Sequence, residues 1–363
     1  MRILHVITSL ITAGAEKVVT ELTVGLNKKG IKADVCVFDG TDYPFKKHLQ
    51  EHGYNVITLG KSYYSPMHIF CLRKIMQNYD IVHTHNTSPQ FYAAIAKATM
   101  SKDIKLVTTE HSTCNRRRDW KWYAPIDKWM YRKYERVICI SEQAEENLRN
   151  HIGVRHGGEN DNICTIYNGV DVEAINHSEP LDDVHSDKFV VVMVAGFRYQ
   201  KDQDTIIRGM SLLPKSEYEL WLVGEGERRE LLEKLAHECG VWDQVKFLGL
   251  RSDVPRILKT ADVVVMSSHF EGLSLSNIEG MAAGKPFVAS DVDGLREVTK
   301  DYGLLFPHGD FESFATVIRN LHDDRDLYEM VSGRCYARAK EYDVSHMVDN
   351  YMKVYQNLLK EKQ

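Results

Sequence analysis

The chain has 363 residues, 43% of them apolar and 27% charged, with a net charge of −5. This composition excludes a disordered polypeptide, and the mild, evenly spread acidity excludes nucleic acid as the main partner. A single hydrophobic core stops growing near roughly 250 to 300 residues, so two domains are expected.

The opening MRILHVITSL lacks a cleavage site after its apolar run and reads as a buried strand, not a signal peptide. Strand-like runs then recur at 3–8, 33–38, 55–58, 81–84, 105–109, 136–140 and 163–166. Between the first two, Val18, Leu22 and Leu26 fall at helical spacing, and Gly30 ends that helix. Ser141 stands where an N-cap is needed for a helix over 142–149. Strands alternating with helices imply parallel crossover units in a doubly wound sheet.

After Asn168-Gly169 the polar segment 171–188 reads as a linker, and the same pattern restarts with strand-like runs at 189–194, 219–223, 245–248, 263–266, 287–289 and 304–306. The ending, 344–360, sets Met347, Tyr351, Val354 and Leu358 near helical spacing, which predicts a helix docked on the first domain. The expected fold class is α/β, with two Rossmann-like doubly wound parallel-sheet domains facing a central cleft. Their expected bounds are 1–170, with 345–363 packing back, and 188–344.

The seven cysteines (Cys36, Cys71, Cys114, Cys139, Cys164, Cys239, Cys335) are odd in number and form no C-x-x-C pair, which favours a reducing compartment. Apolar runs such as 189–197 fall short of the roughly 20 residues of a membrane span. A cytoplasmic protein is expected, soluble or peripheral at the inner face of the membrane.

Ligands of doubly wound sheets bind outside the carboxyl ends of the strands, so the informative motifs should follow strands. One spans Ser267, Ser268, His269, Phe270, Glu271, Gly272, Leu273, Ser274, Leu275 and onward to Glu279, with a helix beginning near Ser274. Unpaired N–H groups and positive dipole at a helix start suit the backbone of Gly272, Leu273, Ser274 and Leu275 to a phosphate or diphosphate. Glu279 lies about 7.5 Å further along the helix at roughly 1.5 Å per residue. A carboxylate beside bound phosphates is useful if it accepts hydrogen bonds from hydroxyls such as those of a ribose, and Glu271 can likewise hold sugar hydroxyls. A second motif, AGFRYQKD, brings Arg198 and Lys201 to a strand-to-helix turn, where cations suit a diphosphate and its departing charge.

The run EGLSLSNIEGMAAGKP, a Glu followed eight positions later by a Glu, is similar to the signature of retaining glycosyltransferase family four, the group 1 glycosyltransferases of GT-B fold. The resemblance implies that Glu271 contacts the donor sugar and Glu279 the nucleotide ribose. Lys201 aligns with the family's diphosphate lysine, whereas Gly196 stands where the family usually has arginine and Arg198 follows two residues later. Gly224 with Gly226, and Gly249 with Leu250, resemble base-binding loops. LITAGAEK resembles the family's G-G-A-E turn with Ala13 for the leading glycine, which assigns Gly14 to the donor phosphate. His111 matches a histidine beside donor sugar and acceptor.

The resemblance thus implies a retaining, metal-independent, hexosyltransferase-type enzyme. It needs no cofactor beyond its UDP-sugar or GDP-sugar donor, and its acceptor is a glycan or a lipid-linked glycan in cell-surface polysaccharide or lipopolysaccharide assembly. A sugar-nucleotide epimerase of the same fold and a non-catalytic nucleotide-binding protein are the alternatives. A dehydrogenase is disfavoured because no G-x-G-x-x-G follows the first strand.

Three further features carry alternatives. His83-Thr84-His85 offers two metal ligands with no third in evidence. Asp202-Gln203-Asp204 and Asp291-Val292-Asp293 mimic a D-x-D metal motif but read as helix-start and loop acids. The stretch 114–136 holds eight cationic residues against three acidic ones, interleaved with Trp120, Trp122, Tyr123, Trp129, Tyr131 and Tyr134. It suits an anionic membrane surface, a cationic acceptor groove or a solvated helix.

Overall fold

The computed structural model describes residues 1–112, 120, 123–158, 161–182, 184, 186–271 and 275–360. They divide into two compact units, 1–168 with the C-terminal helix, and Gly169–Asp343.

Unit 1 is built on seven strands, β1 (Arg2–Ile7), β2 (Lys32–Asp39), β3 (Val56–Gly60), β4 (Ile81–His85), β5 (Lys105–Glu110), β6 (Arg136–Cys139) and β7 (Ile163–Thr165). Their order is β3-β2-β1-β4-β5-β6-β7, parallel throughout. Unit 2 carries β8 (Phe189–Val194), β9 (Tyr218–Val223), β10 (Val245–Gly249), β11 (Val263–Met266), β12 (Phe287–Ser290) and β13 (Leu304–Phe306). Its order, β10-β9-β8-β11-β12-β13, is again parallel. Both sheets are doubly wound, and strand order reverses between β1 and β4 in one and between β8 and β11 in the other. Those reversals leave a crevice at the carboxyl ends of the strands.

Helices cover both faces of a parallel sheet, so its strands are apolar almost throughout. Val190, Val191, Val192 and Met193 of β8 and all of β11 are buried accordingly. The central strands of unit 1 break that rule, because His5, His83, Thr84 and His85 are fully buried among them.

Helix Val344–Lys360 belongs to unit 1 and buries Met347, Val348, Tyr351, Tyr355 and Leu358, a single stripe at helical spacing. It crosses helix Gly14–Lys28 at Gly25, where an added Cβ would stand 2.5 Å from Val348 Cγ2. Lys29 and Asp349 pair at 2.8 Å beside that crossing. Ser141 caps helix Glu142–Ile152 by accepting from the Ala144 N–H at 3.2 Å.

The segment read as a linker is folded onto unit 2. It forms a short helix, Val172–Asn176, and buries Val172, Ile175 and Leu181. Val170 N–H donates to Tyr342 O at 3.0 Å, tying this start to the end of the same unit. Three apolar residues spaced among charges give no periodic signal, which is why the sequence reads as a linker.

Candidate functional site

In unit 2 the topological reversal brings together the loops after β8 and β11. Phe197 is buried and anchors the first loop, while Arg198 and Tyr199 point outward. The second loop is stitched to the first: His269 N–H donates to Gln200 O at 2.8 Å, and Gln200 Nε2 donates to Phe270 O at 3.0 Å. Lys201 Nζ donates to Glu271 Oε2, and Ser268 Oγ donates to the same carboxylate at 3.3 Å. The Lys201 and Glu271 side chains are only 18% and 11% exposed, so this ion pair is shielded from screening. An ammonium has three donors, so Lys201 keeps capacity for a further anion. Arg198 makes no side-chain hydrogen bond or ion pair among the described residues.

Gly272, Leu273 and Ser274 lie outside the described residues. Leu275 begins helix Leu275–Ala282, which carries Glu279 half-buried. On the same helix Asn277 is fully buried, with neither amide atom hydrogen-bonded among the described residues.

The glycines after β9 and β10 have a steric reason. Gly224 sits at φ +144°, and an added Cβ would come within 2.2 Å of Ala195 O. At Gly226 it would come within 2.4 Å of Phe197 O. Both let the loop after β9 run against the loop after β8. Gly249 adopts φ +69° and its carbonyl accepts from Gly224 N–H at 2.9 Å, leaving Leu250 78% exposed.

Of the groups at these strand ends, sequence singled out the acids Asp202, Asp204, Asp291 and Asp293 but not Arg228 or His308. Asp202 adopts the left-handed region at φ 43°, and Asp202 Oδ2 accepts from Thr205 Oγ1 at 2.7 Å and Ser267 Oγ at 3.1 Å instead of capping backbone. Arg228 grips Asp204 through two bonds of 2.7 and 3.0 Å and approaches the Tyr199 ring at 5.9 Å. Asp291 and Asp293 are both engaged by Arg296, at 2.5 and 2.8 Å. The His269 and Tyr199 rings meet at 4.4 Å, tilted by 36°, and His269 Nδ1 lies 2.7 Å from His308 Nε2. Asp202, His269 and His308 each offer one atom within 4.8 Å of the others, and the short contact between the two imidazoles is a hydrogen bond in itself. The only sequence signal for His308 is its place just after a strand end.

In unit 1, helix Gly14–Lys28 starts without a side-chain cap at Ala13, and nothing approaches the Gly14 Cβ position within 4 Å. Glu16, in its first turn, is buried and its carboxyl pKa is raised by that burial.

His111 follows β5, and its Nε2 lies 2.9 Å from His85 Nδ1. His85 Nε2 in turn lies 3.1 Å from His5 Nδ1. His83 takes a separate course, bonded to Tyr355 OH at 2.6 Å and to Thr109 Oγ1 at 2.8 Å. Burial lowers the pKa of all four, to about 3 for His5 and about 4 for His111, so each is neutral at pH 7. Next to His111, Glu110 Oε1 accepts from Gln90 Nε2 at 2.6 Å and Tyr131 OH at 2.7 Å.

His83 and His85 do have a third partner, contrary to the reading from sequence. His5, paired with His83 in register across β1 and β4, offers an atom within 4.8 Å of both. The third residue lies 78 positions away along the chain, where no local spacing reveals it. The ring nitrogens of His83 and His85 are already committed to hydrogen bonds, so the cluster reads first as a buried polar network.

The basic stretch divides in two. Trp120 and Trp129 are 55% and 38% exposed, and Lys133 lies 5.6 Å over the Trp129 ring. Tyr131 and Tyr134 are buried and belong to the core instead of an interface. Residues 113–119, 121 and 122 lie outside the described residues. A groove of about 590 Å³ lined by Lys128, Tyr131, Arg132, Arg155 and Asp161 opens beside this segment. No helix among the described residues is long and apolar enough to cross a membrane.

Two family models match the chain. That of glycosyl transferases group 1 covers residues 182–338, and that of glycosyltransferase family 4 covers residues 12–174. The chain is 28% identical over 321 residues to the putative glycosyltransferase EpsD of Bacillus subtilis, covering 82% of this chain and 83% of that one. It is 27% identical over 327 residues to an Escherichia coli UDP-Gal:alpha-D-GlcNAc-diphosphoundecaprenol alpha-1,3-galactosyltransferase, covering 84% and 82%. In structure it resembles Anabaena Alr3699/HepE, solved with UDP-glucose, with a TM-score of 0.82 over 98% of this chain and 100% of that one at 22% identity.

Proposed function

Because this chain is a group 1 glycosyltransferase of GT-B fold, we propose that it moves a sugar from a nucleoside diphosphate donor to an acceptor hydroxyl, with retention at the anomeric carbon and without a metal ion. The observation that carries this reading is the shielded Lys201–Glu271 pair at the reversal of the unit 2 sheet, with Arg198 uncommitted beside it. Lys201, Arg198 and the backbone from Gly272 to Leu275 hold the diphosphate. Glu271 and His111 orient the sugar. Glu279 accepts from the ribose, and the loops at Gly224, Gly226, Gly249 and Leu250 face the base.

In the transfer, the bond from the anomeric carbon to the phosphate oxygen breaks with its electron pair leaving on the diphosphate. The acceptor oxygen bonds that carbon from the same face, and its proton passes to the departing phosphate oxygen. Lys201 and Arg198 stabilise the charge that develops there.

The donor is a UDP-sugar or GDP-sugar, and a neighbour of similar fold solved with UDP-glucose supports the former. The relative acting on a diphosphoundecaprenol glycan supports a lipid-linked acceptor in surface polysaccharide assembly. Such an acceptor suits a peripheral enzyme at the cytoplasmic face, with exposed Trp120 and Trp129 and the cations of 114–136 against anionic lipid.

The ribose assignment is tested by titrating UDP and GDP into Glu279→Ala by calorimetry. Losing a charge-assisted hydrogen bond costs about 1.5 to 3 kcal/mol, so binding should weaken by roughly ten- to a hundredfold. Wild-type affinity for both nucleotides would remove Glu279 from the site.

A further inference from the structure

We propose that His5 and His85 are positioning residues that fix the proton of His111 on Nδ1, making His111 a hydrogen-bond donor and not a base. The three imidazoles form one line, with His5 Nδ1 at 3.1 Å from His85 Nε2 and His85 Nδ1 at 2.9 Å from His111 Nε2. A neutral imidazole has one N–H and one lone pair, so the line runs in one of two directions. If His111 Nε2–H starts it, the last proton falls on His5 Nε2. That atom is buried and has no hydrogen-bond partner among the described residues.

A buried N–H without an acceptor is rarer and costlier than a bare lone pair. The line therefore starts at His5. Its Nδ1–H donates to His85 Nε2, and His85 Nδ1–H donates to His111 Nε2. Burial keeps all three neutral, so no imidazolium interrupts the line near pH 7. His83 does not compete, since both its nitrogens are held by Tyr355 and Thr109. The two strands set the spacing, because β1 and β4 pair in parallel with His5 opposite His83.

The consequence rests on the reading of His111 as a sugar-orienting residue. With Nε2 filled by His85, His111 has only an N–H to offer, which suits a sugar hydroxyl oxygen. It has no lone pair left for the acceptor's proton, which leaves the diphosphate oxygen to take it.

The test is a two-bond proton–nitrogen correlation spectrum of the full chain labelled with 15N-histidine, near pH 7.5 and without ligands. His111 is assigned by the signals lost in His111→Gln. Protonated Nδ1 and bare Nε2 are expected in the wild type. In His85→Phe the His111 signals should shift toward the Nε2–H form, and His85→Asn, which keeps an amide donor near the former Nδ1, should restore the original pattern. An Nε2–H form or an imidazolium at His111 in the wild type, or an unchanged His111 in His85→Phe, would overturn the proposal. The wild-type spectrum, assigned through His111→Gln, decides even where a His85 variant does not fold. It contains no donor or acceptor, so it stands apart from the function: undiminished turnover in His111→Gln would remove the sugar-orienting role while leaving the tautomer as measured.

Discussion

Lys201→Ala is expected to lower kcat for the donor by roughly 10²- to 10³-fold, the range for removing one group that stabilises charge developing in the transition state. The same variant should bind nucleoside diphosphate more weakly, because the ammonium serves the ground-state phosphates as well. Glu271→Ala should behave differently. It removes the carboxylate that holds Lys201 in the ligand-free protein, so the freed ammonium binds the nucleotide as well as before or better. Turnover should nevertheless fall, because the sugar loses its partner. Calorimetry with UDP and GDP beside initial rates separates the two. Equal losses of nucleotide affinity in both variants would contradict the division of roles between Lys201 and Glu271.

The largest expected effect on stability belongs to Tyr355→Ala. Tyr355 is fully buried on helix Val344–Lys360, and its hydroxyl holds His83 Nδ1 at 2.6 Å. Truncating a large aromatic in a packed core costs about 3 to 5 kcal/mol. Tyr355→Phe keeps the ring and leaves only a buried imidazole nitrogen without its partner, which costs about 1 to 3 kcal/mol. Urea unfolding should order the three proteins wild type, Tyr355→Phe, Tyr355→Ala, with unit 1 lost first. Equal midpoints for the two variants would mean that packing of the ring contributes little.

The tandem pattern of buried strands was legible because a parallel sheet covered on both faces needs continuous apolar runs, and the runs at 189–194 and 263–266 are of that kind. Strand ends moved by a residue or two, as at β7, which stops at Thr165. The folded segment 171–188 was missed because its buried residues Val172, Ile175 and Leu181 are spaced singly among charges. At the site, Lys201 and Glu271 could be named from their motifs, and the structure adds that they pair. Sequence order cannot reveal partners joined by sheet register. That is why His5 escaped notice beside His83 and His85; Arg228, which holds Asp204 across 24 residues between two helix starts, was missed for the same lack of a local signal. Gly224 and Gly226 could be singled out as loop glycines, but their steric reason, the close approach to Ala195 and Phe197, appears only in three dimensions.

Metal-free, retaining transfer from a sugar nucleotide is measured by incubating the full chain with a panel of labelled UDP-sugars and GDP-sugars and candidate glycan acceptors, with and without EDTA, and determining the anomeric configuration of the product. The expected result is consumption of a sugar nucleotide that the chelator does not diminish and a product with the donor's anomeric configuration. Absence of turnover with every donor, abolition by EDTA, or an inverted product would contradict it.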